Sequence, residues 1–407
     1  FDVAHDAELG YWGYVQSRYH TKLSTAPESD GKPYRLEFAV GPGSSCRVDI
    51  QRHLEDGCLP ILHSIQREDA MHYHVTAFTT LEKGPLSARR LRGSEWQACY
   101  PNTGGHMLTP EEIEKMKDAI EAETHGREEE TVCWMRVEAV NTSGAPAYAW
   151  FRVPQPRYAG PNRWSTPPPF KYDGVNGFGA FASGRVLCVN RLDGQPAPQS
   201  EFAVLVQPGQ AVVLDMIVPH QALPPERARK LAHADFDEHL EACRAFWKGK
   251  LAGAAAISVP EAAIDERIKA GLLHCDLVTL GKESTGPLLA TIGWYSPIGS
   301  ESAPIIQFFD SMGWHDVAER CLQFFLDRQR EDGFIQNFGG YQLETGPALW
   351  SMGEHFRYTR DTAWVRRIRP KLLKACDYLL AWRERNKREE LRGKGYGLLD
   401  GKVADPQ

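Results

Sequence analysis

Apolar and polar residues alternate along much of the first half of the chain. In "TVCWMRVEAV", Cys133, Met135, Val137 and Ala139 share one face, and "AYAWFRV" repeats the alternation after the turn "NTSGAP". A period of two predicts strands with one buried face, and the short turn between these two predicts a hairpin. The stretches "MHYHVTAF", "GRVLCVN" and "FAVLVQPGQAVVLDMIVP" predict further strands. Many short strands separated by turns favour a β-sandwich.

The apolar period becomes helical after Pro225. In "FDEHLEACRAFWKGKL", Phe236, Leu240, Cys243, Trp247 and Leu251 recur at helical spacing, which predicts a linker helix. In the first half, "TPEEIEKMKDAI" predicts one inserted helix with Thr109 as its N-cap.

Five more helices are predicted between residues 261 and 388. The first is "VPEAAIDERIKAGLLHCDLV", with Pro260 in its first turn and its buried face formed by Ile264, Ile268, Gly271, Cys275 and Val278. The next three are "APIIQFFDSMG", "HDVAERCLQFFLDRQ" and "GPALWSMGEHFRY". The last is "TAWVRRIRPKLLKACDYLLAWRERN", with a face formed by Ile368, Leu372, Cys376, Leu379 and Trp382. Helices in such quick succession favour antiparallel helical hairpins.

The sequence therefore predicts a mixed β plus α protein with two domains. The expected domains are a β-sandwich over 1–225, a linker helix region over 226–259, and the first part of an (α/α)6 toroid over 260–407. A closed ring of six hairpins needs twelve helices, so we expect this chain to be part of a longer protein. The missing C-terminal helices would then be its partner within the same protein, because a half-ring would expose a large apolar surface.

Composition limits the classes of partner. The chain has 407 residues, 42% of them apolar and 25% charged, which is typical of a soluble globular protein. A net charge of -6 with interspersed signs argues against nucleic acid as a partner. The sequence contains no run of about 18 apolar residues, so no membrane span is predicted. Nine scattered cysteines favour buried free thiols and a reducing compartment such as the cytoplasm, while a secreted or periplasmic location stays open. The oligomeric state also stays open.

Several segments, in this order, resemble the six-hairpin glycosidases. They are "FDEHLEACRAFWKGKL", "IGWYSPIGSESAPI", "FLDRQREDGFIQNF", and the helix before the corner Tyr358, Thr359 and Asp361. The resemblance implies an N-terminal β-sandwich, a linker helix, an (α/α)6 barrel and hydrolysis of glycosidic bonds without a metal or other cofactor. Similarity to the α-L-rhamnosidase-like branch implies that Glu301 in "PIGSESAP" takes the place of the general acid, although the usual accompanying arginine and aspartates are lacking here.

Glycoside hydrolysis needs one protonated and one ionised carboxyl group beside the scissile bond. Glu301 and Glu344 are the candidate catalytic residues. Aromatic and amide side chains suit the binding of sugar rings and hydroxyl groups, and those near the predicted loops are Trp294, Tyr295, Asn337, Phe338, Tyr341, Gln342 and Trp350.

Each candidate also has a structural interpretation. Glu344 could be a first-turn carboxylate that interacts with the dipole of its own helix. Ser300 could be the N-cap of the helix that follows it, and Glu301 would then be an ordinary residue of its first turn. Asp310 lies in an apolar helix, and Asp400 lies in a turn-like "GLLDGK". His72 and His74 lack a third ligand nearby, so no metal site is expected.

Three other functions remain open from the sequence. A glycoside phosphorylase of the same fold would use phosphate in place of water. A non-catalytic carbohydrate-binding protein would keep the aromatic cleft without a working carboxylate pair. A polysaccharide lyase would need a Tyr or His base and a cluster of basic residues for uronic acids, and no such cluster is evident.

Overall fold

The computed structural model describes residues 2–6, 11–16, 34–42, 50–87, 129–158, 166–281, 286–292, 296–337 and 344–400. These residues form large antiparallel sheets and seven α-helices. The predicted helix "TPEEIEKMKDAI" lies outside the described residues. The chain divides into two compact units, and among the described residues the boundary between them falls between Gly249 and Lys250. We call the first unit 1 and the second unit 2.

Unit 1 contains two antiparallel sheets. Its strands are β1 (Asp2–Asp6), β2 (Tyr11–Gln16), β3 (Tyr34–Val40), β4 (Ile50–Glu55), β5 (Leu59–Glu68), β6 (Met71–Leu81), β7 (Thr131–Asn141), β8 (Ala147–Tyr158), β9 (Phe170–Asp173), β10 (Phe178–Phe181), β11 (Val186–Leu192), β12 (Gln195–Pro196), β13 (Glu201–Val206) and β14 (Ala211–Pro219). One sheet has the order β1-β2-β3-β8-β13. The other has the order β4-β5-β6-β7-β14-β11-β10-β9, with β12 beside β11.

The predicted hairpin between β7 and β8 is wrong. β7 pairs with β6 and β14, whereas β8 pairs with β3 and β13 in the other sheet. The turn between them is held by Asn141, whose amide donates to the carbonyls of Ala145 and Val206, both at 2.8 Å. Alternation along a strand indicates which side chains are buried but does not specify the neighbouring strand. Both edges of β7 are already occupied, so β8 joins the other sheet.

Side chains from both sheets form a single buried cluster. Its members include Phe38, Val40, Ala149 and Phe151 from the five-stranded sheet and Tyr73, Val75, Val137 and Met216 from the nine-stranded sheet. Tyr73 and Phe151 meet edge to face, with their ring centroids 6.1 Å apart. The alternation that predicted the strands therefore identifies the residues of this core.

Helices α1 (Pro225–Ala232) and α2 (Phe236–Ala252) follow the sheets. The predicted face of α2 is confirmed for Phe236, Leu240, Cys243 and Trp247, which are buried, whereas Leu251 in the last turn is half-buried. Within unit 1, Arg244 of α2 donates to Glu55 at 2.9 Å, and the ring of His239 stacks on Trp134 at 4.2 Å.

Unit 2 contains the five helices predicted beyond residue 260. They are α3 (Ala262–Leu277), α4 (Gly299–Ser311), α5 (His315–Asp327), α6 (Thr345–Thr359) and α7 (Thr362–Arg385), and a short β15 (Thr279–Gly281) and β16 (Leu288–Ala290) pair between α3 and α4. Asp361 caps α7 by accepting from the backbone N–H groups of Ala363 and Trp364. The existence of these helices is confirmed.

Two of the predicted helical faces need correction. Helix α3 begins after Pro260, at Ala262, and buries Leu272 and Leu273 while Ile264 is exposed. Helix α7 buries Trp364, Ile368, Ala375 and Trp382, so Cys376, which is exposed, lies off its buried face. Both helices carry apolar residues on more than one side, and tertiary packing decides which side is covered.

The described cysteines are free thiols, and five of the seven are buried, as the sequence predicts. Burial raises the pKa of the Cys133 thiol to about 12, so this group stays protonated and unreactive at neutral pH.

Candidate functional site

Glu344 lies at the point where the first turns of α4 and α6 meet. It is fully buried, at 0% exposure, and occupies the N-cap position of α6. Its carboxylate makes no capping bond to α6. Oε1 accepts from the backbone N–H of Asn337 at 2.9 Å, and Oε2 accepts from the backbone N–H of Gly299 at 3.2 Å. The glutamate therefore satisfies the N-terminus of the neighbouring helix α4 instead of its own helix.

This arrangement is electrostatically favourable, because the N-terminus of a helix carries a partial positive charge and unsatisfied N–H groups. It also requires a glycine at position 299. A Cβ there would lie 2.5 Å from the carbonyl oxygen of Glu344, closer than real Cβ atoms approach backbone. The close approach of the two helix termini therefore explains why position 299 is a glycine.

Asn337 and Thr345 extend this contact into the adjoining loops. The Asn337 amide donates to Ser296 Oγ at 3.1 Å and to the Pro297 carbonyl at 2.8 Å. The Thr345 hydroxyl donates to the Ile335 carbonyl and accepts from the Ile335 N–H, both at 3.0 Å. The loops before α4 and before α6 are therefore joined into one hydrogen-bonded layer.

Glu301 lies in the first turn of α4, and the residue is exposed. The helix begins at Gly299 with Ile298 as its N-cap, so the prediction that Ser300 caps it is wrong. Ser302 takes part in fixing the start of the helix instead, because its hydroxyl accepts from the Ile298 N–H at 3.1 Å and donates to the Ala290 carbonyl at 2.6 Å. The two candidate carboxyl groups thus belong to the same pair of helix N-termini, one exposed and one buried.

A second carboxylate joins the other ends of the same two helices. Asp310 of α4 is 1% exposed, and its Oδ1 lies 2.9 Å from Nδ1 of His355 in α6 and 2.9 Å from Nδ1 of His315 in α5. The buried His355 ring also meets Trp364 of α7 edge to face at 4.7 Å. Sequence reasoning considered Asp310 but missed both histidines. An acid within an apolar helix was the available signal, since such an acid needs a buried donor.

The contacts at the two ends show that α4 and α6 lie side by side and parallel. Gly299 and Glu344 are separated by 45 residues in sequence, and Asp310 and His355 are also separated by 45. The two contacts are about 16 Å apart along the helices at 1.5 Å per residue. Helix α5 begins beside Asp310 at His315 and packs against both helices, which also contact each other directly.

The remaining sequence candidates are distributed as follows. Trp350 is 47% exposed on α6. Trp294, Tyr295, Phe338, Tyr341 and Gln342 lie outside the described residues. Asp400 accepts from Trp382 Nε1 at 2.7 Å and from the Asn386 amide. The bond from Asn386, and next the bond from Trp382, lower the pKa of the Asp400 carboxyl group. Asp400 therefore ties the segment after α7 back onto that helix.

Neither a known protein family nor a characterised protein matches this sequence. Within the described ranges, no group of His, Cys, Asp and Glu side chains is arranged to hold a metal ion. None of the seven described helices has the length and apolar character that crossing a membrane requires.

Proposed function

We propose that this chain is part of a glycoside hydrolase that acts on an oligosaccharide or polysaccharide. The proposal depends on one observation: Glu301 is an exposed residue in the first turn of α4, two positions after Gly299, whose N–H binds the buried Glu344. A carboxyl group at the rim of a rigid layer suits a general acid, because proton transfer requires a fixed position relative to the leaving oxygen.

We also propose the finer architecture, a β-sandwich followed by part of an (α/α)6 toroid. In a ring of helical hairpins the inner helices are parallel neighbours, and each outer helix runs back between them. The parallel pair α4 and α6, with α5 packed against both, supports this arrangement. The buried cluster shared by the two sheets of unit 1 supports the sandwich.

In this proposal Glu301 donates a proton to the leaving glycosidic oxygen as its bond to the anomeric carbon breaks, and water supplies the hydroxyl group that replaces it on that carbon. Glu344 is the positioning residue, since both of its oxygens accept backbone N–H groups and the side chain is buried. Asn337 has a similar supporting role, because its amide already bonds Ser296 and Pro297. The aromatic residues Trp294, Tyr295, Phe338 and Tyr341 are sequence neighbours of this layer, and we propose that they and Gln342 contact the sugar.

The test is turnover of a panel of nitrophenyl and natural oligosaccharide glycosides by the wild type and by Glu301→Gln. Gln keeps the size of the side chain but cannot donate the proton, so kcat should fall by a factor of about 100 to 10,000. Thermal stability should stay unchanged, because the residue is exposed. Glu319→Gln, a surface glutamate of α5, is the matched control and should keep full activity. Equal turnover by wild type and Glu301→Gln would remove Glu301 from the mechanism.

A non-catalytic carbohydrate-binding protein is the second candidate, and the burial of Glu344 favours it. Glycoside hydrolysis needs two carboxyl groups at the bond, and Glu344 is engaged by backbone donors in this structure. Saturable binding of an oligosaccharide without turnover, equally tight in wild type and Glu301→Gln, would identify this function.

A further inference from the structure

Two aromatic side chains project from the outer face of the five-stranded sheet in unit 1. On β8, Ala149 and Phe151 are buried in the core, whereas Tyr148 is 55% exposed and Trp150 is 46% exposed. Their ring centroids are 6.3 Å apart and the ring planes are inclined by 54°. The alternation of the strand therefore directs two neighbouring rings away from the core to the same solvent-facing surface.

The two backbone neighbours of Trp150 are small, and about half of the Trp150 residue is exposed. Ala203 is its register partner on β13, and Gly41, whose N–H donates to the Trp150 carbonyl at 2.9 Å, lies on the β3 side. Neither neighbour has a side chain large enough to pack over an indole. The backbone N–H of Trp150 donates to the Tyr73 hydroxyl in the core at 3.1 Å, which fixes the strand beneath the ring. The aromatic surface is thus both accessible and rigidly supported.

The surroundings indicate the size and chemistry of a ligand. Leu205, the register partner of Tyr148, is 48% exposed. The half-buried Arg152 and the exposed Glu201 are register partners of each other and add polar groups beside Trp150. A stable protein interface needs roughly 800 Å² and 20 to 30 residues on each side, far more than these three apolar side chains offer. A ligand with a flat apolar face and polar edges fits this surface better.

We propose that Tyr148 and Trp150 form a binding site for a carbohydrate chain, whose sugar rings pack on the two aromatic rings while their hydroxyl groups face Arg152, Glu201 and water. The choice of carbohydrate rests on the proposed function, but the site itself takes no part in bond cleavage. Its role is to hold a polymeric substrate on the protein.

The experiment is native gel electrophoresis with soluble polysaccharides embedded in the gel, one polymer per gel: a β-glucan, xylan, mannan, pectin or starch. Wild type, Tyr148→Ala/Trp150→Ala, Glu301→Gln and Tyr396→Ala are compared. Tyr396→Ala removes an exposed aromatic ring elsewhere and is the matched control. Equal melting temperatures of wild type and the double variant verify that folding is intact.

We expect at least one polymer to retard wild type, Glu301→Gln and Tyr396→Ala alike, with the association constant at least about tenfold lower in the double variant. The inference is overturned if no polymer retards the wild type, or if the double variant is retarded equally. It is also overturned if wild type is a dimer and the double variant a monomer, because a second copy would then be the occupant. If the protein cleaves glycosides but its retention in the gel does not depend on Trp150, only this binding site is refuted. If the protein is retained but shows no turnover, only the proposed hydrolase is refuted.

Discussion

Helices are held by polar contacts in both units, but the surroundings of those contacts differ. In unit 1, Arg244 of α2 is 31% exposed where it pairs with Glu55, and Asp237 is 75% exposed where it pairs with Arg136. In unit 2, the carboxylates that join α4 and α6 are buried, with Glu344 at 0% and Asp310 at 1% exposure. Water competes most for the Arg136–Asp237 pair, less for Arg244–Glu55, where Glu55 is 13% exposed, and is excluded from Glu344 and Asp310.

This difference changes how much each contact contributes to stability. An exposed ion pair typically contributes no more than about 1 kcal/mol, because both charges are well hydrated when separated. A buried donor that loses its acceptor costs about 1 to 3 kcal/mol, because no water replaces the bond. The two buried carboxylates of unit 2 should therefore contribute more to stability than an exposed pair such as Arg136–Asp237 in unit 1.

Glu344→Ala tests this comparison at its strongest point. The variant leaves the N–H groups of Gly299 and Asn337 without their acceptors, and we expect the free energy of unfolding to fall by about 3 kcal/mol. Urea unfolding followed by circular dichroism measures the change. Glu319→Ala, which breaks an exposed pair with Arg367, is the control and should cost less than about 1 kcal/mol. Similar losses in the two variants would contradict the contrast between buried and exposed contacts.

Asp310→Ala should have the next largest effect, about 2 kcal/mol. The loss is smaller than for Glu344 because His315, whose side chain is 42% exposed, can turn to water, so only His355 is left buried without its acceptor. The same urea measurement applies, with Ser311→Ala, an exposed neighbour, as the control. A loss no greater than that of Ser311→Ala would show that α4 and α6 do not depend on the Asp310–His355 contact.

His239 offers a smaller, pH-dependent test in unit 1. Burial lowers the pKa of His239 below its ordinary value of 6.5, where the ring stacks on Trp134 and its Nδ1 lies 2.9 Å from the Thr80 hydroxyl. The unfolded chain therefore takes up a proton before the folded chain does, and stability is lost as the pH falls below about 6.5. His239→Gln should reduce this loss between pH 7 and 5 by less than about 1 kcal/mol. Thermal unfolding across that pH range measures it, and identical pH slopes in both proteins would contradict the assigned cause.

The local period of apolar residues predicted the strands and helices well, but it predicted poorly which of them pack or pair together. The strands β7 and β8 were correctly predicted from alternation, yet they belong to different sheets. The buried face of α2 was correct because its apolar residues form one stripe, whereas α3 and α7 carry apolar residues on several sides. The pairing of strands and the choice of the buried side of a helix depend on which surfaces remain available in the folded chain. That information is non-local.

The same limit applies to the site. Glu301 was selected from the family resemblance and Glu344 as an acid between a glycine-containing loop and a helix start, and both lie at the same pair of helix termini. Their opposite exposure could not be predicted, because Glu344 accepts from Gly299, 45 residues away. His315 and His355 were missed for the same reason, since their partner Asp310 is recognised only when three helices are packed together.

The sequence by itself determined the two kinds of structure and the point where one changes to the other, because apolar period is a local property of the chain. It also determined that buried acids such as Asp310 would need partners. Only the tertiary structure decided which strands pair, that α4 and α6 are parallel, and that Glu344 binds the start of the neighbouring helix. Those outcomes depend on contacts between residues far apart in sequence, where hydrogen-bonding groups excluded from water must find each other.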